Sequence, residues 1–114
     1  MEATAQLKFA RGSARKARLV LDTIRYKKVA EAQNLLKFSK RRSARLIDKL
    51  LESAIANALQ KDPKADLNQM YVTKATADVG PQMKRYQPRA QGRAFMIRKP
   101  TCHIALEIQT LELE

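Results

Sequence analysis

Residues 80–94 read Gly-Pro-Gln-Met-Lys-Arg-Tyr-Gln-Pro-Arg-Ala-Gln-Gly-Arg-Ala. The stretch contains no acidic residue, and only Met83 and Tyr86 are large side chains with apolar substance, so it has no core of its own. Pro88 and Gly92 stand four apart, which suits a turn of several residues rather than the tight two-residue kind. On both sides the pattern has period two. Before it, Tyr71, Thr73, Ala75, Ala77 and Val79 share one side, and Met70, Val72, Lys74, Thr76 and Asp78 share the other. After it, Cys102, Ile104, Leu106 and Ile108 alternate with His103, Ala105, Glu107 and Gln109. Both runs predict strands, and the segment between them becomes a protruding hairpin arm at about 79–95. With about eight residues per leg at roughly 3.3 Å each, the arm reaches on the order of 25 Å. A two-stranded ribbon of that length is marginal in water and is expected to be ordered by what it touches. Leu111 and Leu113 break the phase of the last strand, as a bulge or a covering tail would.

Working outward, the first half of the chain is helical. Residues 7–9 suggest a short strand before Arg11-Gly12 turns the chain, and Ser13 is a candidate N-cap. Ala17, Val20, Leu21 and Ile24 then recur at helical spacing, leaving Arg15, Lys16, Arg18 and Arg25 mainly on the other surface. Val29, Ala32, Leu35 and Leu36 predict a second, shorter helix ending near Phe38-Ser39. The third is the clearest: Ala44, Ile47, Leu50, Leu51, Ala54, Ile55, Ala58 and Leu59 form a face wide enough for a core helix, and Asp62-Pro63 stops it. Ser39 or Ser43 is expected to cap its start. Lys40, Arg41 and Arg42 crowd that end, where cations oppose the helix dipole, and a nearby phosphate would resolve the conflict.

A length of 114 residues suits one domain, 1–114, with a modest core. The formal net charge is +12, and it is unevenly placed. Eight basic residues lie between Lys8 and Lys28, six between Lys37 and Lys49, and six between Lys84 and Lys99, whereas Glu107, Glu112 and Glu114 fall at the end. Such bias points to a polyanionic partner, nucleic acid before an anionic membrane or an acidic protein. No apolar run has the length of a signal peptide or a membrane span, so a cytoplasmic location without membrane contact is expected. The lone Cys102 excludes an internal disulfide and reads as a small buried side chain.

Three cationic sets carry the expected RNA contacts. On the arm they are Lys84, Arg85, Arg89, Arg93, Arg98 and Lys99, whose guanidinium forks suit phosphate, with Tyr86 available to stack on a base. Arg11, Ser13, Arg15, Lys16 and Arg18 surround a helix N-terminus. Arg41, Arg42 and Arg45 form the third set, for which an ordinary solvated helix end is the alternative. Catalytic machinery is hard to assemble. His103 is the only histidine and reads as a hydrogen-bonding strand residue, and no phosphate loop, zinc motif or paired-cysteine motif appears. Neither enzymatic activity nor a cofactor or metal is expected.

Over essentially its whole length the chain resembles the bacterial form of the large-subunit ribosomal protein twenty-two family. The resemblance rests on Gly80-Pro81, Met83-Lys84-Arg85, Pro88-Arg89-Ala90, Gly92-Arg93-Ala94, and Thr101, His103 and Ile104, together with Ser13, Arg15-Lys16, Arg18-Leu19-Val20 and the run from Leu51 to Ala58. It implies an α+β fold: three helices packed on a small antiparallel sheet, with a long protruding β-hairpin. It further implies a structural role in the large subunit, with binding of large-subunit ribosomal RNA and support of assembly. The hairpin, carrying Met83, Lys84, Arg85, Pro88, Arg89, Ala90, Gln91, Gly92 and Arg93, would line the nascent-peptide exit tunnel and influence macrolide action. Implied partners are that RNA, neighbouring large-subunit proteins and, transiently, the nascent peptide. Four positions depart from the family's usual pattern: Gln91 and Pro100 replace basic residues, Phe95 a small polar or acidic one, and Cys102 a serine. Pro100 also removes a ladder donor, which favours an edge or a bulge there. A free basic RNA-binding module is the main rival reading, and a membrane-surface or scaffold role is a lesser one.

Overall fold

The computed structural model describes residues 2–64, 66–88, 90–92 and 94–110. The chain runs β1 (Glu2–Arg11), α1 (Ala14–Ile24), α2 (Val29–Phe38), α3 (Arg42–Lys61), β2 (Met70–Val79), β3 (Met83–Pro88), β4 (Ala94–Lys99) and β5 (Thr101–Thr110). β1, β5 and β2 form an antiparallel sheet in that order, and β3 pairs with β4 alone. α1 packs on β2, α3 on β1 and β5, and α2 on α3. The expected fold is thus present, drawn out to 69 × 25 × 19 Å.

The core lies between helices and sheet. Leu21, Ile24, Val29, Ile47, Leu51, Met70, Val72, Ile104, Leu106 and Ile108 are all buried there. Two residues expected on apolar helix faces, Leu35 and Leu59, are instead exposed, because each lies at the margin of its stripe. α3 ends at Lys61, ahead of Asp62-Pro63. Its N-cap is Arg41, not a serine: Ser39 Oγ accepts a 3.3 Å hydrogen bond from the Arg41 N–H, while Ser43 lies inside the helix. Ser13 does occupy the N-cap position of α1, but its side chain makes no capping bond.

Strand β1 is ten residues long rather than the three at residues 7–9. Its buried side chains are Ala3, Ala5 and Ala10, which let α3 approach closely but give little apolar signal. Opposite β5 it bulges: Leu7 pairs with Ile104 and Ala10 with Cys102, so Lys8 and Phe9 together face His103. Phe9 adopts a φ of 59°, donates its N–H to His103 Nδ1 at 3.0 Å and sets its ring edge-on to the imidazole. His103 is therefore the hydrogen-bonding strand residue expected of it.

A second bulge corrects the strict alternation read along β2. Val72 pairs with Ile108 and Lys74 with Glu107, leaving Thr73 as the extra residue. The pleat changes phase there, so Met70 and Val72 face the same core as Ala75 and Ala77. Val79, beyond them, is exposed. The outer edge of β2 is covered by the α1–α2 connection, through Tyr26 N–H to Val72 O at 2.8 Å and Val72 N–H to Lys27 O at 2.9 Å. On the opposite edge, Asn57 and Lys61 of α3 donate to the Thr4 and Glu2 carbonyls of β1. Cys102 is buried as expected, and desolvation pushes its thiol above the ordinary value of 9.0.

The two sheets meet at a register break. Between the pairs Val79–Cys102 and Met83–Lys99, one leg advances four residues and the other three. Pro100 lies outside both strands at this break, in keeping with its missing donor. Gly80 N–H donates to Thr101 O at 2.9 Å, Thr101 Oγ1 donates to Pro81 O, and Gly12 N–H donates to Pro100 O at 3.1 Å. A Cβ on Gly80 would lie 2.6 Å from Thr101 Oγ1, so a side chain here would force Thr101 to shift from its bond to Pro81. Beyond it the ribbon pairs six residues on each leg, and it extends past Phe95 to Lys99.

Candidate nucleic-acid interface

The hairpin joins the body beside a concavity of about 460 Å³. It is lined by Arg11, Ser13 and Lys16 from the first cationic set, Arg42 from the third, and Arg98 and Lys99 from the arm, together with Gly12, Ser43, Leu46 and Pro100. Five cations thus converge from three segments far apart in sequence, with no carboxylate in the lining. The path of the backbone explains the meeting. The Gly12–Pro100 bond and the Arg11–Thr101 pair hold the end of β1 against the root of the arm, and the starts of α1 and α3 open beside them.

Those helix starts add to the field. Neither α1 nor α3 has an acidic residue in its first turn or a side-chain cap bond. Their leading N–H groups and the positive end of each helix dipole favour an anion. Arg41 and Arg42 would oppose that dipole in isolation, and a phosphate in the concavity would stand against Arg42.

The ribbon continues the cationic surface. Directly opposed residues share a face, so Lys84 with Arg98, Tyr86 with Met96 and Pro88 with Ala94 lie on one side; Met83 with Lys99, Arg85 with Ile97 and Gln87 with Phe95 lie on the other. Lys84 opposite Arg98 is a like-charged pair, unfavourable unless an anion stands over it. Tyr86 is exposed, as is Arg85, whose guanidinium donates to the Lys84 carbonyl. The ribbon turns through Ala90, Gln91 and Gly92, with Gln91 at φ 66° and Gly92 at φ 70°. Arg89 and Arg93, both assigned to this surface from the sequence, lie outside the described residues. So do Leu111 and Leu113, read as a bulge or covering tail.

The remaining members of the cationic sets separate by role. Arg15, Arg41 and Arg45 are exposed but do not line the concavity. Arg18 is turned to the body instead, its Nε donating to the Ala77 carbonyl at 2.9 Å. Arg25 likewise holds the Ala75 carbonyl and pairs with Asp22. Gly12, Ser43, Leu46 and Pro100 were not singled out as site residues, since nothing local in the sequence signals their meeting. Among the described residues no cluster of histidine, cysteine and carboxylate side chains could hold a metal.

Comparison with known proteins gives this surface its context. The family described as ribosomal protein L22p/L17e matches residues 5–109. The chain belongs to that family. A relative from Geobacter sulfurreducens, large ribosomal subunit protein uL22, is 52% identical over 106 residues, covering 93% of this chain and 95% of the relative. The protein of that name from Syntrophotalea carbinolica is 50% identical with 93% and 96% covered, and the one from Geotalea daltonii 53% identical with 93% and 95% covered. As a member of the L22p/L17e family the chain is a structural, non-enzymatic constituent of the large ribosomal subunit, placed with ribosomal RNA and ribosomal proteins in the bacterial cytoplasm. Among the described residues, no helix is long and apolar enough to cross a membrane.

Proposed function

We propose that this chain acts as one RNA-binding unit that grips the phosphate backbone of large-subunit ribosomal RNA with the concavity at the hairpin root, supports subunit assembly, and extends its ribbon along that RNA to form part of the nascent-peptide exit tunnel. The observation that carries the reading is the convergence of Arg11, Lys16, Arg42, Arg98 and Lys99, without a counter-charge, on one concave surface. Ser13 and the two helix starts add neutral donors. Arg15, Arg41 and Arg45 extend the cationic rim, and Lys84 and Arg85 carry it along the ribbon, where Tyr86 offers a stacking face; Arg89 and Arg93 add their charge to the same RNA contact. Arg18 contributes through its terminal nitrogens, since its Nε is already engaged. The nascent peptide is a transient partner of the ribbon.

Two experiments test the two parts. Plotting log K against log salt for a large-subunit RNA transcript should give a slope steeper than about −4, because each neutralised phosphate releases counterions. A nearly flat plot would reject phosphate-led binding. For the tunnel, deleting Met83, Lys84 and Arg85 removes an odd number of residues from β3 and moves Tyr86 to the opposite face of the ribbon. Purified subunits carrying the deletion should assemble and show an altered inhibition of peptide synthesis by a macrolide. Unchanged inhibition at full occupancy would remove the ribbon from the tunnel wall.

A further inference from the structure

The connection between α2 and α3 presents an aromatic ring that the interface above does not use. Phe38, the last residue of α2, is 85% exposed, more than any other large apolar side chain among the described residues. The ring stands on a fixed support. Leu36 and Ala44 are buried on either side of the connection. Between them Ser39 N–H donates to Leu36 O, Arg41 N–H to Ser39 Oγ, and Ala44 N–H to Arg41 O, at 3.3, 3.3 and 3.2 Å. Among the described residues no other ring is paired with Phe38.

Its neighbours are cations. Lys37, Lys40, Arg41 and Arg42 lie within four residues of it in sequence, and the sequence has no acidic residue between Glu31 and Asp48. Arg42 also lines the concavity, so Phe38 lies four residues along the chain from it, at most about 14 Å by backbone reach. The ring is therefore within reach, over a few nucleotides, of an RNA strand whose phosphates enter the concavity. We propose that Phe38 is a stacking platform for one unpaired base of that strand, an inference that rests on the RNA-binding reading above. Base pairs in a duplex hide their faces, so the partner nucleotide is unpaired. The flat, apolar face of phenylalanine accepts any base, while the flanking cations hold the adjacent phosphates. An apolar pocket on a neighbouring protein is the competing occupant, but it would have to seat a ring carried on a segment with four cations and no acid, whereas RNA neutralises that charge.

The chain has no tryptophan, so Phe38→Trp introduces a single fluorescent indole. Each variant is first checked for wild-type melting, then titrated with refolded large-subunit ribosomal RNA transcript. Phe38→Trp should bind within about twofold of wild type with its emission quenched, whereas Phe38→Ala and Phe38→Leu should both bind about five- to 150-fold more weakly, the range expected for loss of one base–aromatic stack. Equal affinity of wild type and both truncated variants would overturn the stacking inference while leaving RNA binding intact. So would a wild-type-like Phe38→Leu beside a weakened Phe38→Ala, since bulk alone would then suffice. Normal RNA affinity of Phe38→Ala combined with poor incorporation into subunits would assign the ring to a protein pocket instead. If wild type itself shows no salt-dependent RNA affinity, the reading on which the inference rests fails with it.

Discussion

Replacing Arg42 and Arg98 together with alanine should weaken binding to large-subunit ribosomal RNA by roughly a hundredfold or more, because each charge-assisted hydrogen bond contributes about 1.5–3 kcal/mol. The two residues come from α3 and from the root of the arm, and both line the concavity. Both are exposed, so the melting temperature should barely move. Lys64 and Lys74 provide the comparison: they are exposed, outside the concavity, and their removal subtracts the same formal charge. That second double variant should lose about tenfold or less at the same ionic strength, through the general field alone. Filter binding at one fixed salt concentration distinguishes the cases. Equal losses from both double variants would mean that total charge, and not its convergence, governs binding.

Leu51→Ala is expected to act in the opposite sense. Leu51 is fully buried on the face of α3, and its truncation should cost about 2–5 kcal/mol through lost burial and the cavity left behind. Against a typical total of roughly 5–15 kcal/mol, that is a large fraction of the stability of a small fold. Urea unfolding should show a lower midpoint at unchanged slope. RNA affinity should fall only in proportion to the unfolded fraction, since the cationic lining is elsewhere. A shift below about 1 kcal/mol would show that the helix–sheet layer can collapse around the gap.

The helices were readable from sequence because their buried stripes are continuous: Ala44, Ile47, Leu51, Ala54 and Ala58 recur at a period that no strand shares. β5 was readable for the complementary reason, with Cys102, Ile104, Leu106 and Ile108 alternating without a break. Most of β1 beyond residues 7–9 escaped because the face it buries is mostly alanine, and because Phe9, its most visibly apolar residue, is 61% exposed at a bulge. In β2 a single extra residue, Thr73, reverses the phase of everything before it, and composition does not announce such an insertion. The candidate interface was legible as three cationic sets but not as one place. Their meeting depends on bonds such as Gly12 to Pro100, between residues that no local periodicity connects. The same limit applies to Arg18, whose partner is a backbone carbonyl of Ala77 and leaves no trace in residue type.

Pro100 gives the molecule a sense of time as well as of shape. The strand ladder of the body ends where that of the ribbon begins, and the six ribbon pairs share no strand neighbour with the core. Opening those pairs therefore need not disturb Leu106 or Ile108, and amide exchange in the ribbon can proceed through local events far cheaper than global unfolding. A newly synthesised chain can complete its helices and three-stranded sheet before the ribbon acquires a lasting form. On the proposed RNA-binding role, docking of the body would come first and the ribbon would settle afterwards along the RNA path before it, its ordering entropy falling in the last step of association.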